Sequence, residues 1–153
     1  MAYQREILEL IERAANEDWT SLSLNRYQLV DLPRQLSQLT NLTILKVIGN
    51  ELTSLPPEIT KLPNLTHLDL KGNKLTNLPP QLGNLTNLNC LVLRNNQLTN
   101  VPTEFSRLTN LTDLDLSGNQ LTRLPTNVTK LTNLSRLYLG RNRLGSLPPE
   151  IAN

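Results

Sequence analysis

A 23-residue period runs through this chain without a break. Asn50, Asn73, Asn96, Asn119 and Asn142 stand one period apart, each followed by a segment of the form xLxxLPxxI or a close variant. Self-similarity at a fixed period of this length dictates a solenoid, because each unit is one supersecondary element that can bury its apolar face only against the next. The units run 19–41, 42–64, 65–87, 88–110, 111–133 and 134–153, the last stopping three residues short. Apolar columns align across them. One holds Leu22, Leu45, Leu68, Leu91, Leu114 and Leu137; a second holds Leu24, Val47, Leu70, Leu93, Leu116 and Leu139; a third holds Leu36, Ile59, Leu82, Phe105, Val128 and Ile151. Each column predicts a buried stripe.

The composite LxxLxLxxNxLxxLPxxIxxLxx resembles the leucine-rich repeat consensus over residues 19–153, and its LPxxI half at a period of 23 is most similar to the Ras-suppressor subtype. Similar units occur in bacterial, notably cyanobacterial, repeat proteins and beside the GTPase domains of Roco proteins. The resemblance implies an α/β fold, a right-handed solenoid with a curved parallel sheet of about six short strands on its concave face.

The same architecture follows from the residues. In LxxLxL the two leucines separated by one position point to one face, the period-2 signature of a short strand. Stacked units pair these strands in parallel, and at about 4.8 Å per strand six of them span roughly 24 Å. The Asn column suits a residue that turns the chain out of the strand while its amide bonds neighbouring backbone, which predicts a ladder along the stack. Tyr27 replaces Asn in the first unit, where no preceding coil offers backbone to bond. Pro33, Pro56, Pro79, Pro102, Pro125 and Pro148 recur on the return side, where a fixed φ and a missing donor exclude a central strand. That side is expected to be extended backbone followed by a short helical turn, as through Glu58 to Leu62. Such bulkier segments spread the convex side and curve the sheet.

Residues 1–18 precede the repeats and form an expected cap, with a helix over 2–16 carrying Ile7, Leu10, Ile11 and Ala14 on one stripe. Trp19 is expected to take the column position later filled by Leu42, Leu65, Leu88, Leu111 and Leu134. A membrane anchor fits less well, because the helix is short, its charges are mixed and it has no basic face. No equivalent cap is evident at the carboxyl end. That predicts a piece of a longer protein, a frayed last unit, or self-association through the open edge.

Composition narrows the function classes. A net charge of +2 is too small for a nucleic-acid binder, although Arg136, Arg141 and Arg143 make the last unit locally basic. No signal peptide and no membrane-spanning segment are evident. The lone Cys90 forms no internal disulfide and points to a reducing, cytoplasmic compartment. Sequons such as those at Asn41, Asn64 and Asn110 arise where the repeat places TNLT and are read as structural. Phosphate-cradling, dinucleotide, CxxC, HExxH and GxSxG motifs do not occur, and the six glycines read as dispersed. His67 is the only histidine, which removes multi-histidine metal sites. His67 and Cys90 are expected side by side on adjacent strands, but no third group supports a nucleophilic relay. Neither catalysis nor a cofactor is expected.

Function is therefore sought in the strand positions that drift between units. The third position reads Ser21, Ile44, His67, Cys90, Asp113, Arg136; the fifth Ser23, Lys46, Asp69, Val92, Asp115, Tyr138; the seventh Asn25, Ile48, Lys71, Arg94, Ser117, Gly140. A concave patch of Ile44, Lys46, Ile48, His67, Asp69, Lys71, Val92, Arg94, Asp113, Asp115, Arg136 and Tyr138 mixes apolar, aromatic and charged groups as protein interfaces do. The aspartates suit a basic partner segment better than a metal, since Asp69 lies about 10 Å from Asp115 by strand spacing. The expected function is a noncatalytic scaffold that binds a protein partner, with no nucleic acid and no membrane. The alternatives are the recognition segment of a larger regulator such as a Roco-type GTPase, and a structural or engineered repeat protein without a partner.

Overall fold

The computed structural model describes residues 2–152, with side chains described over 5–151. Helix α1, Ala2–Asn16, leads into six three-residue strands: β1 Ser21–Ser23, β2 Ile44–Lys46, β3 His67–Asp69, β4 Cys90–Val92, β5 Asp113–Asp115 and β6 Arg136–Tyr138. They form one parallel sheet in the order β1-β2-β3-β4-β5-β6. Register shifts by one period per strand, so that Leu45 pairs with Leu68, Leu68 with Leu91 and Leu91 with Leu114. This is the open solenoid sheet that the 23-residue period predicts.

Coil-to-coil bonding continues beyond the strands. The N–H of Leu70 donates to Val92 O at 2.8 Å and that of Gly72 to Arg94 O at 2.9 Å, and on the return side Lys74 N–H reaches Leu52 O at 2.9 Å. There the prolines hold extended backbone, as at Pro56 with φ −69° and ψ 143°. Each is followed by a single 3₁₀ turn: Arg34–Gln38, Pro57–Lys61, Pro80–Asn84, Thr103–Arg107, Thr126–Lys130 and Pro149–Ala152. The turn is tight because its N–H groups bond three residues back, as Ile59 does to Pro56 O at 3.1 Å. It points one apolar residue inward, and Leu36, Ile59, Leu82, Phe105 and Val128 are all buried.

The Asn ladder is present and saturated. The Asn96 amide donates to Leu93 O of its own coil at 3.0 Å and to Leu70 O of the preceding coil at 3.1 Å, and its oxygen accepts the Leu75 N–H at 3.0 Å. Asn73, Asn119 and Asn142 repeat this set. At the first coil Asn50 accepts from the N–H groups of both Tyr27 and Leu29. Every rung reaches back one coil, which is why the first unit manages without an asparagine of its own.

A second ladder runs along the outer edge. Asn64, Asn87, Asn110 and Asn133 donate to Thr40 O, Pro63 O, Thr86 O and Thr109 O, and Thr43, Thr66 and Thr112 hydroxyls bond the backbone one coil back. The TNLT sequons are thus explained as structure. Asn41 instead donates to Asp18 Oδ1 at 2.8 Å, so the cap supplies the first rung.

Asp18 can do so because it ends α1 in a left-handed conformation, φ 53°, with Trp19 N–H returning to Ala14 O at 2.9 Å. Ile7, Ile11 and Ala14 are buried in the common core, Leu10 and Trp19 pack half-buried against it, and Arg13 lies 5.1 Å above the Trp19 ring. The helix thus packs against the core beside the first 3₁₀ turn. In the last unit Leu134, Leu137, Leu139, Leu144 and Ile151 are only half-buried, and Leu147 is 49% exposed.

One sequence reading needs correction. The glycines are not dispersed, because Gly49, Gly72 and Gly118 share the position just before the ladder asparagine. With Arg26, Asn95 and Arg141 they form a column that is left-handed in all six coils, φ between 55° and 69°. It is this residue that turns the chain out of the strand.

Candidate functional site

Each strand alternates, with the two flanking side chains outward and the central leucine inward, buried in β1 to β5 and half-buried in β6. That alternation, propagated through a parallel register, assembles the candidate residues into rows. Ile44, His67, Cys90, Asp113 and Arg136 pair strand to strand in one row, and Lys46, Asp69, Val92, Asp115 and Tyr138 in the next. None of the twelve candidate residues is buried; Lys46, Lys71, Arg94, Arg136 and Tyr138 are exposed and the other seven half-exposed. Tyr138 stands 51% open, among the most exposed large apolar groups of the described residues.

The charges are organised. Asp113 is bonded by the Arg136 guanidinium from β6 and by the Thr112 hydroxyl at 2.7 Å. These two donors hold its carboxyl below the usual carboxylate range. Asp69 accepts the Lys71 N–H at 3.0 Å, and Asp115 accepts the N–H and hydroxyl of Ser117 at 2.9 and 2.5 Å. The three aspartates are therefore held in place while remaining half-exposed. Positive groups lie beyond them, where Lys71 and Arg94 occupy the next outward position along the chain.

Cys90 sits beside His67 and Asp113 in its row as a free thiol. Burial, followed by the charges of Asp113 and Asp69, pushes the thiol pKa up, so the neutral form prevails at neutral pH. A nucleophilic thiolate needs the reverse. The described residues hold no group of three or more metal-ligating side chains placed to share an ion. No helix among them is long and apolar enough to cross a membrane.

Sequence reasoning overlooked an open pocket of about 730 Å³ at the β4–β6 end of this face, lined by Arg94, Asp115, Ser117, Tyr138 and Arg141 among others. Arg141 belongs to the left-handed column. The signal lay in that column, which reads R, G, G, N, G, R from first unit to last.

The family model "Leucine rich repeat" matches residues 20–75, 40–98 and 63–121, and the model "Leucine Rich repeats (2 copies)" matches 109–153. A comparison with curated proteins gives no match. Among solved structures, the chain is similar to a leucine-rich repeat protein of Leptospira interrogans, with 43% identity and a TM-score of 0.83 over 85% of this chain and 33% of that one. It is also similar to the plant peptide hormone receptor RGFR1 in complex with RGF2, at 36% identity and a TM-score of 0.69 over 73% of this chain and 19% of the receptor. The chain thus spans about a third of the length of the first and a fifth of the second.

Proposed function

The chain belongs to the leucine-rich repeat family, and from that premise we propose that it is a noncatalytic module that binds a protein partner through the outward face of its sheet. The observation that carries this reading is the contrast within each strand. The central leucine repeats in all six strands, while its outward neighbours on either side change at every step. Core positions repeat because packing constrains them; a solvated face has no such constraint, and this one displays an exposed tyrosine, several arginines and three fixed aspartates in one continuous patch. That a similar receptor was solved with RGF2 bound supports a binding role. Cys90 favours a protonated thiol, which argues against covalent chemistry on this surface. A single free cysteine also accords with a reducing compartment, and we assign the module to the cytoplasm.

The test compares two triple variants in capture of the partner from native extract. Replacing Arg94, Asp115 and Tyr138 by Ala should leave the circular dichroism spectrum intact and weaken capture about a hundredfold, since interface anchors commonly cost over about 1 kcal/mol each. Replacing the exposed return-side residues Lys61, Gln81 and Lys130 by Ala should change little. Loss of the partner from the return-side variant alone would overturn the assignment of the face.

A further inference from the structure

Left-handed backbone costs arginine what it does not cost glycine, because the β-carbon crowds the following carbonyl. In the column of six left-handed residues Gly or Asn stands in the four middle coils, but Arg26 and Arg141 adopt φ 60° and 58° in the first and last. Arg26 has a packing reason. Its stem lies over Gly49, where an added β-carbon would come within 3.2 Å of the arginine Cγ. Arg141 is exposed and takes part in no hydrogen bond or ion pair among the described residues. Backbone strain kept without a local packing reason points to function.

Arg141 shares its pocket with Arg94, a second exposed guanidinium without a partner among the described residues, and with the open ring of Tyr138. Asp115 is the one carboxylate lining the pocket, and Ser117 already engages it twice. Two guanidiniums therefore outweigh one occupied carboxylate. A guanidinium presents a planar fork of donors that matches a carboxylate, and an aromatic face beside it suits a short aliphatic stem. We propose that this pocket seats an acidic side chain, Asp or Glu, of an extended segment of the protein partner, with Arg94 and Arg141 donating to its carboxylate and Tyr138 against its stem. The proposal depends on the outward sheet face being the binding face and adds the chemistry of one subsite.

The experiment titrates the full ¹⁵N-labelled chain with hexaglutamate, with hexalysine and inorganic phosphate as comparison probes. Hexaglutamate is expected to shift the Arg94 and Arg141 Nε–H resonances and the Gly118 and Gly140 amides, and Arg94→Gln or Arg141→Gly should each weaken it about tenfold. Arg141→Gly introduces the residue that three of the four middle coils carry, so its melting temperature should hold or rise by about 2 to 4 °C while binding falls. A drop in melting temperature would make Arg141 a structural residue and overturn the proposal. So would no binding, equal shifts with phosphate, or shifts confined to Lys46 and Lys71; in that last case the sheet face survives as the binding surface. Shifts confined to the 3₁₀ side would overturn both the pocket and the face.

Discussion

Gly83 offers a test in which sequence and structure give opposite signs. Its equivalents are Ala152 in the last coil and Ser37, Thr60, Ser106 and Thr129 in the other four, and each of those four hydroxyls donates to the carbonyl three residues back, at 2.9, 2.7, 3.0 and 2.5 Å. From the column alone, Gly83→Ser should stabilise. The hydroxyl bond contributes about 0.5 kcal/mol at an exposed site, and the reduced freedom of the unfolded chain about another 0.5. The neighbouring coil reverses this. A β-carbon on Gly83 would lie 2.3 Å from Glu104 O and 2.9 Å from Glu104 C, both backbone atoms. That backbone cannot swing aside, because Phe105 N–H is tied to Pro102 O at 3.1 Å and Leu108 N–H to Phe105 O at 2.9 Å. The Thr103–Arg107 turn must instead retreat as a unit, loosening Leu82 and Phe105, which are both fully buried. Overpacking of this kind costs about 1 to 3 kcal/mol, and immobile backbone favours the upper half. Net destabilisation of about 1 to 2 kcal/mol follows, which at an m-value of about 2 kcal/mol/M lowers the urea midpoint by roughly 0.5 to 1 M. Gly83→Ala, which lacks the hydroxyl, should fall at least as far. A midpoint for Gly83→Ser at or above that of the parent would refute the reasoning.

Leu91→Ala removes a fully buried side chain from β4 and should cost about 2 to 5 kcal/mol in the same assay, against under about 0.5 for an exposed site such as Lys61→Ala. Asn96→Ala strands the Leu70 and Leu93 carbonyls and the Leu75 N–H; a loss of about 2 to 4 kcal/mol is expected, larger than for the half-buried Asn142. Asp113 has a depressed pKa in the folded chain, so its contribution is present above the ordinary carboxylate range and fades as pH falls through the folded value. Asp113→Asn should therefore flatten the decline of melting temperature below about pH 4, while leaving its slope unchanged above about pH 5. Because Asp113 also helps raise the Cys90 pKa, the same variant should alkylate faster with iodoacetamide near neutral pH, and an unchanged rate would remove Asp113 from that cause.

The period of 23 was enough to determine the coil, the parallel register and the core, because a repeated apolar column has only one way to become continuous: each unit stacks on the one before. Asn96 and Pro102 were legible for the same reason, their types matching a turn that needs a bonding amide and a return strand without a donor. The outward residues were legible as positions, since period-2 alternation about Leu91 decides which way Cys90 and Val92 point. Their states were not. The Arg136 pairing with Asp113, the raised Cys90 pKa and the pocket joining Arg94 to Arg141 all arise from residues one or more coils apart, and charge and burial act through space. Gly83 marks the same boundary. Its column proposes a hydroxyl, and only the stacked neighbour reveals that Glu104 O already occupies the space where the β-carbon would stand.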